Sequence, residues 1–131
     1  MLFAGRSEVS SEVLAGYESP VMTVIRTVAL TGAAAMVAAI LAGFVSGDFT
    51  GEGSAILDLV WGRVTLIDLY IGLGLFAVWI GFREKRPLLR AAWWLALIIL
   101  GNLASALYVV IASFQVSTPR ELLSGRQVAA E

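Results

Sequence analysis

Residues 63–83 read RVTLIDLYIGLGLFAVWIGFR, an apolar run between two arginines with Asp68 as its one internal charge. At about 1.5 Å of rise per residue, the stretch from Val64 to Phe82 covers about 28 Å as a helix, close to a hydrocarbon core of about 30 Å. A lone strand in lipid leaves its backbone polar groups unsatisfied, so the run predicts a membrane-spanning helix.

Working outward, Thr27 to Gly47 is uncharged between Arg26 and Asp48, and Ala91 to Val116 contains no charge at all. The first run meets the span criterion, and the second exceeds a bilayer core and is expected to tilt or emerge. The expected fold is therefore all-α, an integral membrane protein of three transmembrane helices. Its spans lie near 27–47, 64–82 and 91–116, inside a membrane domain at 24–116. A cytoplasmic segment at 1–23 precedes this domain and a polar tail at 117–131 follows it.

Composition agrees. The chain has 131 residues, 59% hydrophobic and 15% charged, with a mean hydropathy of +0.86, which excludes a water-soluble globule. Three or four spans fill this length, so a large transporter has no room. The chain has neither Cys nor His, so disulfides, thiolate zinc and imidazole ligation of haem or metals are excluded. A net charge of -1 supplies no basic stripe for a phosphate backbone, and nucleic acid is not an expected partner.

Orientation follows from the basic residues in the short loops. Arg83, Lys85, Arg86 and Arg90 stand against Glu84 in the second link, whereas the first carries Asp48, Glu52 and Asp58 against Arg63. The expectation is a cytoplasmic N-terminus, an outside first loop, a cytoplasmic second link and an outside C-terminus, in a bacterial inner membrane. Arg26 agrees with this, while Arg120 and Arg126 run against it. A cleaved signal peptide is the competing reading of the first span, but its charged region would be far longer than signal peptides keep. Within 1–20, the spacing of Val9, Val13, Leu14 and Tyr17 permits an amphipathic surface helix, against the alternative of a disordered tail. The apolar run from Ile56 to Trp61 is too short to span and suits an interfacial half-turn under the second span.

Chemistry has few candidate carriers. Asp68 is the one ionisable residue well inside a span, where a central carboxylate costs about 2.5 to 3.5 kcal/mol. It either binds a proton, a cation or a polar group, or serves as a clasp to Arg63 or to hydroxyls on a neighbouring helix. Asp68 is expected to face the third span, since Gly72, Leu75 and Trp79 continue its helical face. Because the second and third spans run in opposite directions, it is expected level with Ser105 and Tyr108, with Asn102 a turn or so deeper. These four form a candidate polar intramembrane site, with interhelical gluing as the plainer reading. Tyr70 fits an aromatic belt. On the first span Thr31, Ala35, Ala39 and Gly43 recur at every fourth position, a stripe of small residues that lets another backbone approach. Its partner is either internal, with Gly72, Gly74 and Gly101 as matching flat spots, or another chain. Trp79, Trp93 and Trp94 suit a cytoplasmic aromatic belt, and Arg83, Lys85, Arg86 and Arg90 suit anionic lipid headgroups, though orientation alone explains them too. No phosphate-cradling glycine loop, Ser/His/Asp set or metal spacing occurs, and no cofactor is expected.

The run from Trp61 to Tyr70, then Ala77-Val78-Trp79-Ile80, the Arg83-Glu84 pair, Leu100-Gly101-Asn102-Leu103-Ala104 and Ala106-Leu107-Tyr108 resembles an uncharacterised domain-of-unknown-function family. Its bacterial and plant members are small multi-span membrane proteins. The resemblance covers roughly residues 60–114, and Thr65-Leu66-Ile67-Asp68-Leu69-Tyr70 is its most specific element. It implies architecture and marks Asp68, Asn102 and Tyr108 as motif positions, without transferring a reaction.

The expected function is that of a non-catalytic accessory or assembly subunit of a membrane complex, with the lipid bilayer and a protein partner or a second copy held through the first span. One alternative is a homo-oligomeric transporter for protons or small solutes that uses Asp68. A weaker one is a membrane-embedded lipid or isoprenoid enzyme, since Asp68 has no second acid or metal beside it.

Overall fold

The structure is a computed structural model that describes residues 4–125; of residues 4–19 it describes the backbone and the Val13 side chain. All elements among the described residues are helices: α1 (Ala4–Ser46), α2 (Phe49–Asp58), α3 (Val60–Arg83), α4 (Pro87–Leu100), α5 (Asn102–Gln115) and α6 (Pro119–Ser124). Two helical segments, Pro20–Ser46 of α1 and Val60–Arg83, are long and apolar enough to cross a membrane. The first expected span is thus a helix that begins at Ala4, and the amphipathic face expected within 1–20 lies outside the described residues.

The third expected span needs correction. Residues 91–116 do not form one helix but belong to α4 and α5, each 14 residues long and separated at Gly101. Gly101 has φ 56° and ψ -130°, a combination open in practice only to glycine. The chain reverses there, and α5 returns antiparallel to α4. A run of about 39 Å, longer than the span it was assigned to, divides into two arms of about 21 Å.

Levels along the bundle follow from named contacts. Trp94 Nε1 donates to the Ala77 carbonyl at 2.9 Å, and Gly101 lies beside Leu73, so α4 climbs antiparallel to α3 as far as Leu73. Leu73 is ten residues from Arg83, so the turn sits about 15 Å above the end of α3. The hairpin therefore reaches about half the length of α3. α5 descends along α1, its main neighbour, and α6 closes against α3 and α1.

Where the core sits reflects this half-depth hairpin. Met22, Leu73, Ile80, Leu97, Ala104, Tyr108, Ala112, Val116 and Leu122 form one buried cluster. It fills the half of the bundle that ends at the basic 84–86 link, whereas α1 beyond Ala33 and α3 before Leu73 bury no residue. α6 also lies at this basic end, where the Leu122 carbonyl accepts from Arg83 Nε at 2.8 Å. The expectation that the third stretch carries the C-terminal tail to the opposite side is thereby corrected: residues 117–125 return to the side of the 84–86 link.

At the acidic end, α2 occupies the place read as a half-turn, and Trp61 falls within α3. Gly62 lies directly under the Ile56 carbonyl, where a side-chain carbon would collide with backbone. Glycine there permits the tight junction between α2 and α3.

Candidate functional site

Three polar regions are built into this frame, and the first surrounds Tyr108 at the basic end. Its ring meets Trp93, Trp79 and Phe76 edge-on, with centroids 5.0, 5.6 and 6.1 Å away. Tyr108 is 3% exposed, so its hydroxyl needs a partner. Arg83 Nη1 supplies it at 3.1 Å, with the guanidinium carbon 5.5 Å from the ring centroid. Arg83 thus turns inward, to a phenol and a carbonyl.

Arginines serve the same end of the bundle twice more. Arg26 Nη2 donates to the Ser113 carbonyl at 2.8 Å and to the Val116 carbonyl at 3.3 Å, while its guanidinium stacks over Phe114. Arg90 Nη1 reaches the Gly81 carbonyl at 3.4 Å and lies over Trp94. The last carbonyls of a helix lack intrahelical partners and carry its negative dipole end. Cations placed there satisfy α5, α6 and α3 in turn. Trp79 Nε1 adds a bond to the Leu123 carbonyl at 3.1 Å. α6 itself starts with Pro119 in its first turn, after Thr118, whose hydroxyl accepts from Glu121 N at 3.2 Å. Glu121 Oε2 in turn accepts from Ser117 N at 3.1 Å, a near-reciprocal capping arrangement. Of the four basic residues expected to meet headgroups, Lys85 and Arg86 stand exposed, whereas Arg83 and Arg90 are partly buried in these contacts.

The second region is the hairpin tip. Asn102 opens α5 and is exposed; Ser105, one turn on, is half-buried, and its Oγ is enclosed without a hydrogen-bond partner. Ser105 and Asn102 share a cavity of about 450 Å³ with Ile25, Val28, Ala29 and Phe76. Asn102 also lines a larger cavity, of about 640 Å³, which lies beyond the tip between the upper halves of α1 and α3. Tyr70 and Glu52 border that second cavity, whose volume and polar rim exist only because the hairpin stops short, and so are not legible in the sequence.

Asp68 belongs to neither region. It is exposed on the outward side of α3, with Val64, Ile67, Ile71 and Leu75 exposed around it. The inward side is Leu69, Leu73, Phe76 and Ile80. Asp68 is therefore not gathered with Asn102, Ser105 and Tyr108, which lie at different depths of one helix, Asn102 exposed at the tip, Ser105 half-buried and Tyr108 buried. Nor does α1 pack its regular stripe into the core: Thr31, Ala35, Ala39 and Gly43 are exposed, Gly43 at the wall of the larger cavity, and Ala29 and Ala33 are the buried small residues.

The third region is the acidic end. Asp48 precedes α2, with Thr50 Oγ1 donating to its carboxylate at 2.9 Å. The Gly51 backbone and then the Thr50 hydroxyl hold the Asp48 carboxyl below its usual range, although the approach falls short of a closed cap bond. Among the described residues no group of His, Cys, Asp or Glu is placed to hold a metal ion.

Sequence reasoning passed over Gly101, Arg26 and Glu52 as site-forming residues. The signal for the first was present: Gly-Asn is a turn pair, set in the middle of an apolar stretch too long for one span.

No curated protein and no solved structure matches the chain. A family model described as Protein of unknown function (DUF1475) matches residues 10–124, from within α1 to the last residue of α6, well beyond the 60–114 stretch that carried the resemblance. The chain belongs to that family.

Proposed function

We propose that the chain is an integral membrane protein that acts as a non-catalytic assembly or accessory subunit. In this reading α1 and α3 cross the bilayer, and α4 and α5 enter and leave from the cytoplasmic side as a re-entrant hairpin. Arg63 and Arg83 bracket about 30 Å of α3, one hydrocarbon thickness. With both N- and C-terminal segments at the basic end, Arg120 no longer opposes the orientation set by the 83–90 link.

The observation that carries the assembly role is the outward position of Asp68. It lies about 7 Å inside Arg63 along the helix, on a face whose neighbours are apolar and exposed. A carboxylate facing lipid there is costly, and a donor from another chain removes the cost. Thr31, Ala35 and Ala39, exposed on α1 and outside both cavities, supply a second contact-ready face. The test is the mass of the native assembly after extraction in mild detergent. Wild type is expected as a complex larger than the 13.9 kDa chain, and Asp68→Leu as the dissociated chain with unchanged helix content. A wild-type chain that runs as a monomer, or an Asp68→Leu assembly indistinguishable from wild type, contradicts the proposal.

A further inference from the structure

The half-depth hairpin leaves the outer part of the bundle without a third helix. Between α1 and α3, above the tip, lies the cavity of about 640 Å³, within the about 300 to 1,000 Å³ typical of small-molecule sites. Its walls are apolar, among them Ile40, Leu73 and Ile99, its floor includes Asn102, and Phe49 and Glu52 of α2 stand at its rim. Depth is set by the tip: the groove begins about 15 Å above the basic end of α3 and occupies the remaining leaflet, the length of an acyl chain. An apolar groove open to hydrocarbon gains contacts only by being filled.

We infer that this groove holds one outer-leaflet phospholipid with an amine-bearing head, an inference that rests on the membrane reading above. Its acyl chain lies along Ile40, Leu73 and Ile99. The ammonium group donates to the Glu52 carboxylate in a charge-assisted hydrogen bond. The groove's lining includes no Lys or Arg, and Glu52 is its one charged residue, so an anionic head meets like charge where an ammonium meets its complement.

The experiment uses the full chain in nanodiscs of mixed phosphatidylethanolamine and phosphatidylglycerol, followed by native mass spectrometry of the retained lipid. One phosphatidylethanolamine per chain is expected to survive release. Glu52→Gln is expected to lower the preference over phosphatidylglycerol about tenfold, as for the loss of one charge-assisted bond. Ile99→Trp, on an exposed groove position, is expected to displace lipid while helix content and sizing stay unchanged. Retained lipid in the bulk ratio, undiminished retention by Ile99→Trp, or a cross-link between two chains through Ile99→Cys overturns the assignment. A chain that fractionates with membranes yet retains no such lipid defeats the groove alone; a chain found in the aqueous fraction defeats the membrane reading itself.

Discussion

Tyr108 meets Trp93 edge-on with ring centroids 5.0 Å apart, although fifteen residues separate them. An unbroken helix would hold them about 22 Å apart, so this contact is the direct signature of the reversal at Gly101. The same phenol accepts a hydrogen bond from Arg83, which ties α3, α4 and α5 together at one residue. Tyr108→Phe keeps the ring contacts and removes the hydroxyl; it is expected to cost about 1 to 3 kcal/mol. Tyr108→Leu also removes three edge contacts of about 0.5 to 1.5 kcal/mol each. Thermal unfolding in detergent should rank wild type above Phe and Phe above Leu, and equal midpoints for all three contradict the clamp.

Gly101→Ala tests the turn. With φ at 56°, a side-chain carbon imposes strain of about 1 to 3 kcal/mol wherever space allows it. A lowered midpoint and weakened Trp93–Tyr108 coupling in tryptophan fluorescence are expected. Gly72→Ala, at an exposed helical position open to its surroundings, should leave both unchanged.

The two kinds of small residue on α1 should separate by phenotype. Ala33 is 9% exposed and lies in the bundle, so Ala33→Leu overpacks it at about 1 to 3 kcal/mol, read as a lower melting temperature. Ala39 is exposed, so Ala39→Leu should spare the fold and reduce assembly on a sizing column. Equal assembly of Ala39→Leu and wild type counts against a partner at this face.

Asp48 predicts a pH dependence confined to the start of α2. Its carboxyl is held below the ordinary value of 3.8, so its support of α2 is complete above that value. The support is lost as pH falls through the depressed one. Protection of the Gly51 amide, taken relative to its intrinsic exchange rate at each pH, should therefore hold at pH 5 and fall only below the ordinary carboxylate range, and Asp48→Asn should abolish this acid step.

Much of the architecture was legible in hydropathy and charge. The apolar runs at 27–47 and 64–82, the second with Asp68 as its one charge, fall in α1, up to its end at Ser46, and in α3, because spanning length is a property of composition alone. Gly101 was different: periodicity cannot distinguish one long apolar helix from two short ones, and the decision rests on a single backbone conformation and on aromatic rings that meet across the turn. Asp68 exposed a second gap. Antiparallel neighbours give relative depth but not the rotation of a helix about its axis, so the face carrying Asp68 and Gly72 was expected inward and lies outward. Arg26 and Arg83 read as orientation markers; only the folded chain brings them to the carbonyl ends of α5 and α6.

In the membrane reading proposed above, the reversal at Gly101 puts residues 117–125 on the same side as the 84–86 link, and single-cysteine labelling tests this most directly. The chain has no native cysteine, so Ser54→Cys, Lys85→Cys and Ser124→Cys can each be probed with an impermeant thiol reagent in intact and in permeabilised cells. The hairpin predicts that the cysteines at 85 and 124 react only after permeabilisation, while the one at 54 reacts in intact cells. Labelling at 124 together with 54 and apart from 85 would restore a third full span and contradict the account.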